Sequence, residues 1–187
     1  MSPGDEAAPP TPSPFLLASR ERLERAAHGG PVLDLGCGRG RNALAAASWG
    51  IPVFGFDRDA AFLNELQRSA RRARLPVQGV RCDLEAGYGI PVAAGTCAAI
   101  LVFRFLYRPL APAIEEALAP GGLLLYETFT REQRTLGYGP SREAFLLSPG
   151  ELPTLFPNLV PEHSWEGIEP AGPRPEAVAR LTAHKPR

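Results

Sequence analysis

A glycine-rich turn is the feature of this sequence best suited to hold a ligand. The turn is Gly36-x-Gly38-x-Gly40, and it follows a short apolar run that ends at Leu35. Glycine has no Cβ, so its backbone can approach a ligand closely and adopt dihedral angles that other residues avoid. The spacing departs from the G-x-G-x-x-G dinucleotide fingerprint because residue 41 is arginine, and no Gly-Lys-Ser/Thr phosphate-binding sequence follows. The turn therefore predicts a ligand held against bare backbone, and its spacing disfavours dinucleotides and nucleoside triphosphates.

Three aspartates accompany this turn and narrow the chemistry of the ligand. Asp34 precedes Gly36 by two residues, where a carboxylate would repel phosphate and would suit an ammonium group such as that of S-adenosylmethionine. Asp57 ends the next apolar run, about twenty residues further on, where an acid that binds ribose hydroxyls is expected. Asp83 follows Cys82 at the end of a third run and could accept a hydrogen bond from an adenine amino group. The alternatives are a helix cap or surface carboxylate for Asp57 and a solvated turn for Asp83.

The elements that must position these residues follow from hydrophobic periodicity. Strands are predicted at residues 32–35, 52–56, 77–81, 98–103 and 123–127, and helices at residues 41–49, 59–73 and 111–118. Strands that alternate with helices imply a parallel sheet covered by helices on both faces, and right-handed crossovers make it doubly wound. Ligands of such sheets bind beyond the carboxyl ends of the strands. The glycine turn and the aspartates should therefore meet at one edge.

The flanking segments complete a single α/β domain. Residues 1–14 contain five prolines and predict a flexible tail, and residues 15–28 predict an amphipathic N-terminal helix. Residues 129–147 show no clean period and follow the fifth strand directly, so we expect this segment and the N-terminal helix to form a lid over the site. Ser148-Pro149-Gly150-Glu151 predicts the N-cap, first-position proline and capping-box glutamate of a short helix. Two further strands, at residues 159–167 and 177–183, have too short a connection for a helix and should be antiparallel.

Composition excludes several classes of protein. The formal net charge is zero, which gives no support for a large nucleic-acid partner, although a local basic patch could still bind one. No apolar run is long enough to cross a bilayer, and the sequence start lacks signal-peptide features. Three widely spaced cysteines argue against a disulfide framework and fit a reducing cytoplasm. The three histidines show no metal-ligand spacing, so no metal site is expected, and the oligomeric state, monomer or homodimer, is left open.

Several of these segments resemble class I S-adenosylmethionine-dependent methyltransferases. Residues 33–40 resemble motif I of that family, Asp57 the motif II acid, and Cys82-Asp83-Leu84 the adenine-side motif, while residues 118–125 are similar to the turn before its fifth strand. The resemblance implies a Rossmann-like, seven-stranded sheet whose last strand is antiparallel, and S-adenosylmethionine as cofactor. The residues expected to bind that cofactor are Asp34, Gly36, Cys37, Gly38, Asp57, Arg58, Cys82, Asp83, Leu84 and Phe103.

A finer resemblance is to the bacterial branch related to tellurite-resistance methyltransferases. It is carried by residues 104–110, 126–129, 139–140 and 145–152. The fourth strand is not followed by the Asn/Asp-Pro-Pro-Tyr/Phe motif of enzymes that methylate amino groups of nucleic acids. Its place is taken by Arg104-Phe105-Leu106-Tyr107, which lowers the expectation of base methylation.

The acceptor side is expected to involve Arg104, Tyr107 and Glu127 as candidate catalytic residues. Glu127 ends a buried central strand, where a carboxylate is costly without a partner, so it either pairs with Arg104 or acts as a base. The expected function is direct SN2 methyl transfer to a small molecule or small oxyanion. The alternatives are an RNA or protein methyltransferase, or a non-catalytic module that binds S-adenosylmethionine. The arginine cluster at residues 68–74 predicts a solvated face, with RNA contact as its functional alternative.

Overall fold

The computed structural model describes residues 11–170 and 174–187, so the predicted tail lies mostly outside the described residues. The end of that tail is ordered. Ser13 is fully buried, and its Oγ accepts a hydrogen bond from the Phe15 amide at 3.1 Å. The first helix, α1, begins at Pro14 and ends at Ala18. The helix therefore begins one residue before the predicted start at residue 15, because a serine cap followed by proline starts it.

The predicted N-terminal helix is two helices. Helix α1 ends before Ser19, whose φ of −94° and ψ of 4° leave the helical region, and α2 spans Arg20–Ala27. Serine is a poor residue for a helix interior because its hydroxyl competes for backbone hydrogen bonds. Leu16 on α1 and Leu23 on α2 are both fully buried. These two helices therefore belong to the packed core.

Seven strands form one sheet in the order β3-β2-β1-β4-β5-β7-β6. The strands are β1 Val32–Leu35, β2 Val53–Asp57, β3 Val77–Arg81, β4 Cys97–Phe103, β5 Leu118–Phe129, β6 Val160–Glu169 and β7 Glu176–His184. The first five are parallel, and β7 runs antiparallel to both β5 and β6. The predicted seven-stranded, doubly wound sheet with an antiparallel last strand is thus confirmed. The strand order reverses between β1 and β4, which is where such sheets bind ligands.

Helices cover both faces of the sheet. Helices α1 and α2, together with α3 (Arg41–Ser48) and α4 (Ala60–Ala73), cover one face. Helices α5 (Ala111–Ala117) and α6 (Glu151–Thr154) cover the other. All seven residues of β4 are buried, as expected for a central parallel strand packed on both faces. Within the described part of the chain, no helix is long and apolar enough to span a bilayer.

Several element boundaries differ from the sequence prediction, and two of these differences have a clear structural reason. Strand β5 begins at Leu118, where the segment already pairs with Cys97 of β4 before a register shift. Helix α6 begins at Glu151 after Gly150, whose φ is 69°, so the prediction of Ser148 as N-cap was wrong. The capping-box contact itself exists, because the Glu151 carboxylate accepts a hydrogen bond from the Ser148 amide at 2.7 Å. A left-handed glycine here moves the helix start beyond the proline.

Candidate functional site

The glycine turn connects β1 to α3 and contains three glycines with left-handed φ values. Gly36, Gly38 and Gly40 have φ values of 66°, 55° and 78°. A Cβ at Gly40 would collide with Leu66 of α4, so this glycine permits helix packing. A Cβ at Gly38 would meet nothing within 4 Å, so the backbone there is open to a ligand. The turn thus combines a structural glycine with one that exposes its backbone.

Asp57 holds this turn in place from the end of β2. Its Oδ2 accepts a hydrogen bond from the Gly38 amide at 2.8 Å, and its Oδ1 accepts one from the Asp59 amide at 2.9 Å. Asp59 in turn caps α4 by accepting from the Ala61 amide at 2.8 Å, as its position predicts. One carboxylate therefore fixes the turns that follow β1 and β2.

A first cavity of about 160 Å³ opens beside these turns. It is lined by Gly36, Asp57, Arg58, Cys82, Asp83, Leu84, Glu85, Arg104 and Phe105. Three carboxylates and two guanidinium groups give the lining a formal charge of −1, and Arg58 pairs with Glu85 at 2.9 Å. A cavity with this balance favours a ligand with net positive charge. Most of the residues predicted to bind the cofactor meet here.

The remaining predicted cofactor residues lie outside the lining of this cavity. Asp34 is 2% exposed, and its carboxylate accepts a hydrogen bond from the Ala43 amide at 3.1 Å. Burial raises the pKa of Asp34 to about 7. Cys37 is buried with its Sγ facing Gly55, and burial raises the pKa of this thiol as well. The ring of Phe103 packs against that of Phe15, with centroids 6.1 Å apart. Gly38 also lies outside this lining, and cofactor contacts by all four residues stay predictions.

A second cavity, of about 310 Å³, adjoins the first at the carboxyl ends of β4 and β5. It is lined by Glu85, Arg104, Phe105, Leu106, Thr128, Phe129, Pro140 and Phe145. Glu85, Arg104 and Phe105 line both cavities and form their shared wall. Apolar and aromatic side chains provide most of the remaining lining. Pro140 and Phe145 come from the predicted lid, which is therefore part of this cavity.

Arg104 occupies a constrained position in the shared wall. Its φ is 61°, which is strained for a residue with a Cβ and is retained mainly where surrounding contacts enforce it. Its amide donates to the Glu127 carbonyl at 2.8 Å, and its guanidinium lies 4.5 Å from the Phe129 ring centroid. The guanidinium pairs with Glu176 and lies 3.6 Å from a Glu127 carboxylate oxygen. These contacts fix the arginine where β4 ends.

Glu127 lies in a buried ionic network and lines neither cavity. Its side chain is fully buried; it accepts a hydrogen bond from the Ser13 hydroxyl at 3.0 Å and from Arg180 Nε at 2.7 Å. The expected ion pair with Arg104 is present, whereas the role as a base stays a prediction. Tyr107, the other acceptor-side candidate, is partly buried, packs against the apolar cluster under α5 and also lies outside both linings. Of the three candidates, Arg104 alone reaches a cavity.

Sequence reasoning missed three residues of this region. Glu85 stands two residues after Asp83 in the same turn, and that proximity was the available signal. The pair Ser13-Pro14 is a recognisable helix start and could have placed Ser13 inside the fold. Arg180 lies on β7 and carries no local signal, since its partners Glu127 and Glu169 are distant in sequence.

The arginines near the site are mostly neutralised by neighbouring carboxylates. Arg131 and Arg134 both pair with Glu143, and Arg108 pairs with the Glu151 carboxylate. Hydrogen bonding to Arg108 lowers the pKa of Glu151 to about 2, so the pair is charged at neutral pH. These ion pairs leave less free positive charge to bind an oxyanion acceptor, such as the small oxyanion expected from the sequence.

Comparison with known sequences relates the chain to methyltransferases. The family described as Methyltransferase domain matches residues 32–122. The chain is 31% identical over 124 residues to the ribosomal protein L11 methyltransferase of Thermus thermophilus, covering 62% of this chain and 48% of that protein. The chain therefore spans less than half the length of the ribosomal protein L11 methyltransferases it matches.

Solved structures share the fold at low sequence identity. TehB from Haemophilus influenzae has a TM-score of 0.68 and 21% identity, covering 88% of this chain and 62% of that one. Geranyl diphosphate C-methyltransferase from Streptomyces coelicolor, in complex with geranyl diphosphate and S-adenosyl-L-homocysteine, has a TM-score of 0.64 and 17% identity. That match covers 90% of this chain and 77% of the other.

The strand order, the glycine turn and the Methyltransferase domain match over residues 32–122 relate this chain to class I S-adenosylmethionine-dependent methyltransferases. TehB shares the fold of this chain. The cofactor of the class is S-adenosylmethionine, and the residues present fit it. Gly38 exposes its backbone, and the first cavity carries a net negative lining that suits a cation.

Proposed function

We propose that this protein transfers a methyl group from S-adenosylmethionine to a small molecule with an apolar body. The observation that carries the proposal is the second cavity, whose largely apolar lining adjoins the cofactor cavity across Glu85, Arg104 and Phe105. A volume of about 310 Å³ falls within the usual range for small-molecule sites. The lining also selects for apolar surface, since burying it there is favourable.

The protein's part in this reaction is to bind and orient. When bound, S-adenosylmethionine supplies an electrophilic methyl group on its sulfonium. In this proposal Asp57 would bind the ribose hydroxyls, Asp83 would bind the adenine amino group, and the Gly36–Gly38 backbone would contact the methionine part. Holding the acceptor in line with that methyl group and excluding water can contribute roughly 7–11 kcal/mol to lowering the barrier. The transfer proceeds as a direct SN2 displacement.

Proton transfer is needed only for an acceptor that arrives protonated. Among the described residues that line the second cavity, Glu85 and Arg104 carry ionisable side chains. An arginine stays protonated in proteins, so it is unsuited to accept a proton. Glu85 is therefore the better-placed candidate base, in preference to the buried Glu127.

A second candidate function is protein methylation. It is favoured by the 31% identity to the Thermus thermophilus ribosomal protein L11 methyltransferase over 124 residues. The second cavity could then receive one side chain of a protein acceptor. A module that binds S-adenosylmethionine without turnover is the remaining alternative, because fold alone does not establish catalysis.

The first measurement is calorimetric titration with S-adenosylmethionine, followed by release of S-adenosylhomocysteine with a panel of acceptors. The panel contains apolar thiols, phenols and amines, selenite and tellurite, and purified ribosomal proteins. We expect turnover with apolar small molecules. Turnover confined to ribosomal proteins would favour the second candidate, turnover confined to selenite and tellurite would favour an oxyanion acceptor, and binding without turnover would favour the module.

A pair of variants tests the location of the acceptor. Phe145→Ala removes part of the second cavity wall and should lower kcat/KM for the acceptor at least tenfold without changing cofactor affinity. Tyr88→Ala is the matched control, because it removes an aromatic ring that is 94% exposed and lines neither cavity. Equal effects of the two substitutions would argue against the second cavity as the acceptor site.

A further inference from the structure

We propose that the ring of Phe105 is the wall against which the positively charged sulfonium lies. This contact makes the protein prefer the methylated cofactor over its neutral demethylated product. The proposal assigns a specificity role to a residue that the sequence leaves as a rim or core aromatic. It depends on S-adenosylmethionine as cofactor and is independent of the acceptor's identity.

The backbone directs this ring onto the glycine turn. Arg104 adopts a left-handed φ of 61° immediately after β4, and the next residue, Phe105, lies against Gly36 at the end of β1. A Cβ at Gly36 would lie 2.8 Å from Phe105 Cγ and 2.9 Å from its Cβ. The ring therefore rests on the Gly36 backbone at a distance that any side chain at position 36 would prevent.

The position of Phe105 is fixed from the opposite side as well. Its carbonyl accepts a hydrogen bond from the hydroxyl of Tyr126 at 3.0 Å, and Tyr126 is 3% exposed. The preceding Arg104 is held by Glu127, Glu176 and the Phe129 ring. Contacts from β5 and β7 thus pre-position the aromatic ring before any ligand binds, which limits the ordering cost of binding.

The ring also lies where the transferred group must pass. Phe105 is one of three residues that line both cavities, so it borders the passage from the methyl donor to the acceptor. The π face of a phenyl ring attracts a cation more strongly, once both are desolvated, than it attracts a neutral thioether. Apolar packing alone would favour both cofactor forms equally, and this difference makes the proposal testable.

The experiment measures Kd values by calorimetry for S-adenosylmethionine, S-adenosylhomocysteine and sinefungin. In sinefungin a carbon that carries an amine replaces the methylated sulfur. Phe105→Leu keeps apolar volume and removes the π face. We expect it to weaken binding of the two cationic ligands by roughly 2- to 30-fold, the range of cation–π contacts. Affinity for S-adenosylhomocysteine should change less than about twofold, and Phe105→Tyr should keep the original preference.

Phe54→Leu is the matched control, because it removes a phenyl ring that is 39% exposed on β2 and lines neither cavity. Equal weakening of all three ligands by Phe105→Leu would overturn the proposal and leave a packing role. No weakening would place the ring outside the cofactor's path.

If Phe105→Leu fails to fold, mono-, di- and trifluorinated phenylalanine at position 105 keep the shape and withdraw π density. Affinity for S-adenosylmethionine should then fall stepwise while that for S-adenosylhomocysteine stays level, and parallel changes would contradict the cation–π contact. Failure of the wild-type protein to bind S-adenosylmethionine would instead remove the proposed function itself.

Discussion

The two cavities are built by different means, although they share a wall. The first is formed largely by residues of the turns that follow β1, β2 and β3, where the Gly38 amide donates to Asp57 at 2.8 Å. The second is shaped by side chains, with aromatic rings from several elements and an arginine fixed by remote carboxylates. Backbone geometry after β1 and β2 follows from local residue types. The surroundings of the second cavity depend on contacts such as Ser13 to Glu127, which join residues 114 positions apart.

This difference predicts how each region responds to substitution. Substitutions in the first cavity should lower cofactor affinity before they lower stability, because few residues distant in sequence depend on its lining. Damage to the network beneath the second cavity should appear first in stability, because one carboxylate joins α1, β4, β5 and β7. The substitutions below can confirm or remove that contrast.

The largest effect is expected from Glu127→Gln. It leaves Arg104 and Arg180 without their buried counter-charge and should lower the free energy of unfolding by roughly 3 kcal/mol, as for other broken buried pairs. Urea denaturation measures the loss, and cofactor affinity should stay nearly unchanged. Glu176→Gln is the control at the more exposed end of the same network, with an expected loss below about 1 kcal/mol.

An unchanged stability of Glu127→Gln, combined with a large loss of methyl transfer, would contradict this assignment. It would instead support Glu127 as a base. A large loss of cofactor binding would remove the contrast between the two regions, because the network would then govern the first cavity as well.

Gly36→Ala tests the role of the first cavity in cofactor binding. The backbone of the new alanine would have to keep a φ of 66°, and its Cβ would lie 2.8 Å from Phe105 Cγ. Both the turn and the shared wall must therefore shift. We expect cofactor Kd to rise at least about tenfold, which equals about 1.4 kcal/mol. Gly50→Ala is matched in backbone geometry, with a φ of 84°, but has open space around it and lies outside both cavity linings. It should cost stability without changing Kd, and equal Kd values for the two variants would contradict the role of Gly36.

The same contrast explains what the sequence could predict. Asp59 and the Gly36–Gly40 turn were placed correctly because a helix cap and a left-handed glycine express local backbone requirements. The strand order follows from alternation and crossover handedness. Arg180 illustrates the limit, because nothing on β7 identifies its buried partner Glu127. Arg104 lines both cavities, and its acceptor-side role stays a prediction; its strained φ has no signal in its residue type.

Asp34 shows a second limit, that of burial. A carboxylate beside a glycine turn suggests a ligand contact. In the fold, however, the Asp34 carboxylate accepts a hydrogen bond from the Ala43 amide at 3.1 Å. The sequence shows which groups can bind a ligand, whereas packing decides which of them face the cavity. The ammonium contact expected for Asp34 therefore needs an experiment that reports on this carboxylate directly.

The titration of Asp34 provides that experiment. Its pKa is raised to about 7 in the fold by burial, above the value of 3.8 for the unfolded chain. A raised folded pKa gives stability that is present below the unfolded pKa and lost as pH rises through the folded pKa. Between about pH 5 and about pH 8 the wild type should lose roughly 2 kcal/mol relative to Asp34→Asn, measured by urea denaturation. A difference that is constant across this range would contradict the raised pKa.

Cofactor binding sharpens the same test. An ammonium group placed at Asp34 would lower its pKa and release a proton on binding near pH 7. Calorimetry in buffers of different ionisation enthalpy measures that release, which should be absent in Asp34→Asn. Binding without proton release in the wild type would leave Asp34 as a structural acceptor for Ala43 alone.

The smallest effect concerns the lid, and here the structure divides the predicted segment. Gln133 is fully buried and accepts a hydrogen bond from the Ala177 amide at 2.8 Å, so the first half is anchored to β7. The turn around Pro140 and Phe145 lies over the second cavity and is more exposed. Closure should therefore involve residues 137–145 and leave the packed N-terminal helices in place.

Cofactor plus acceptor should slow tryptic cleavage after Arg142 by a few-fold while cleavage after Arg25 of α2 stays unchanged. Equal protection at both arginines would indicate general stabilisation, and no protection would make this segment a fixed wall, so that both cavities would be rigid despite their different construction.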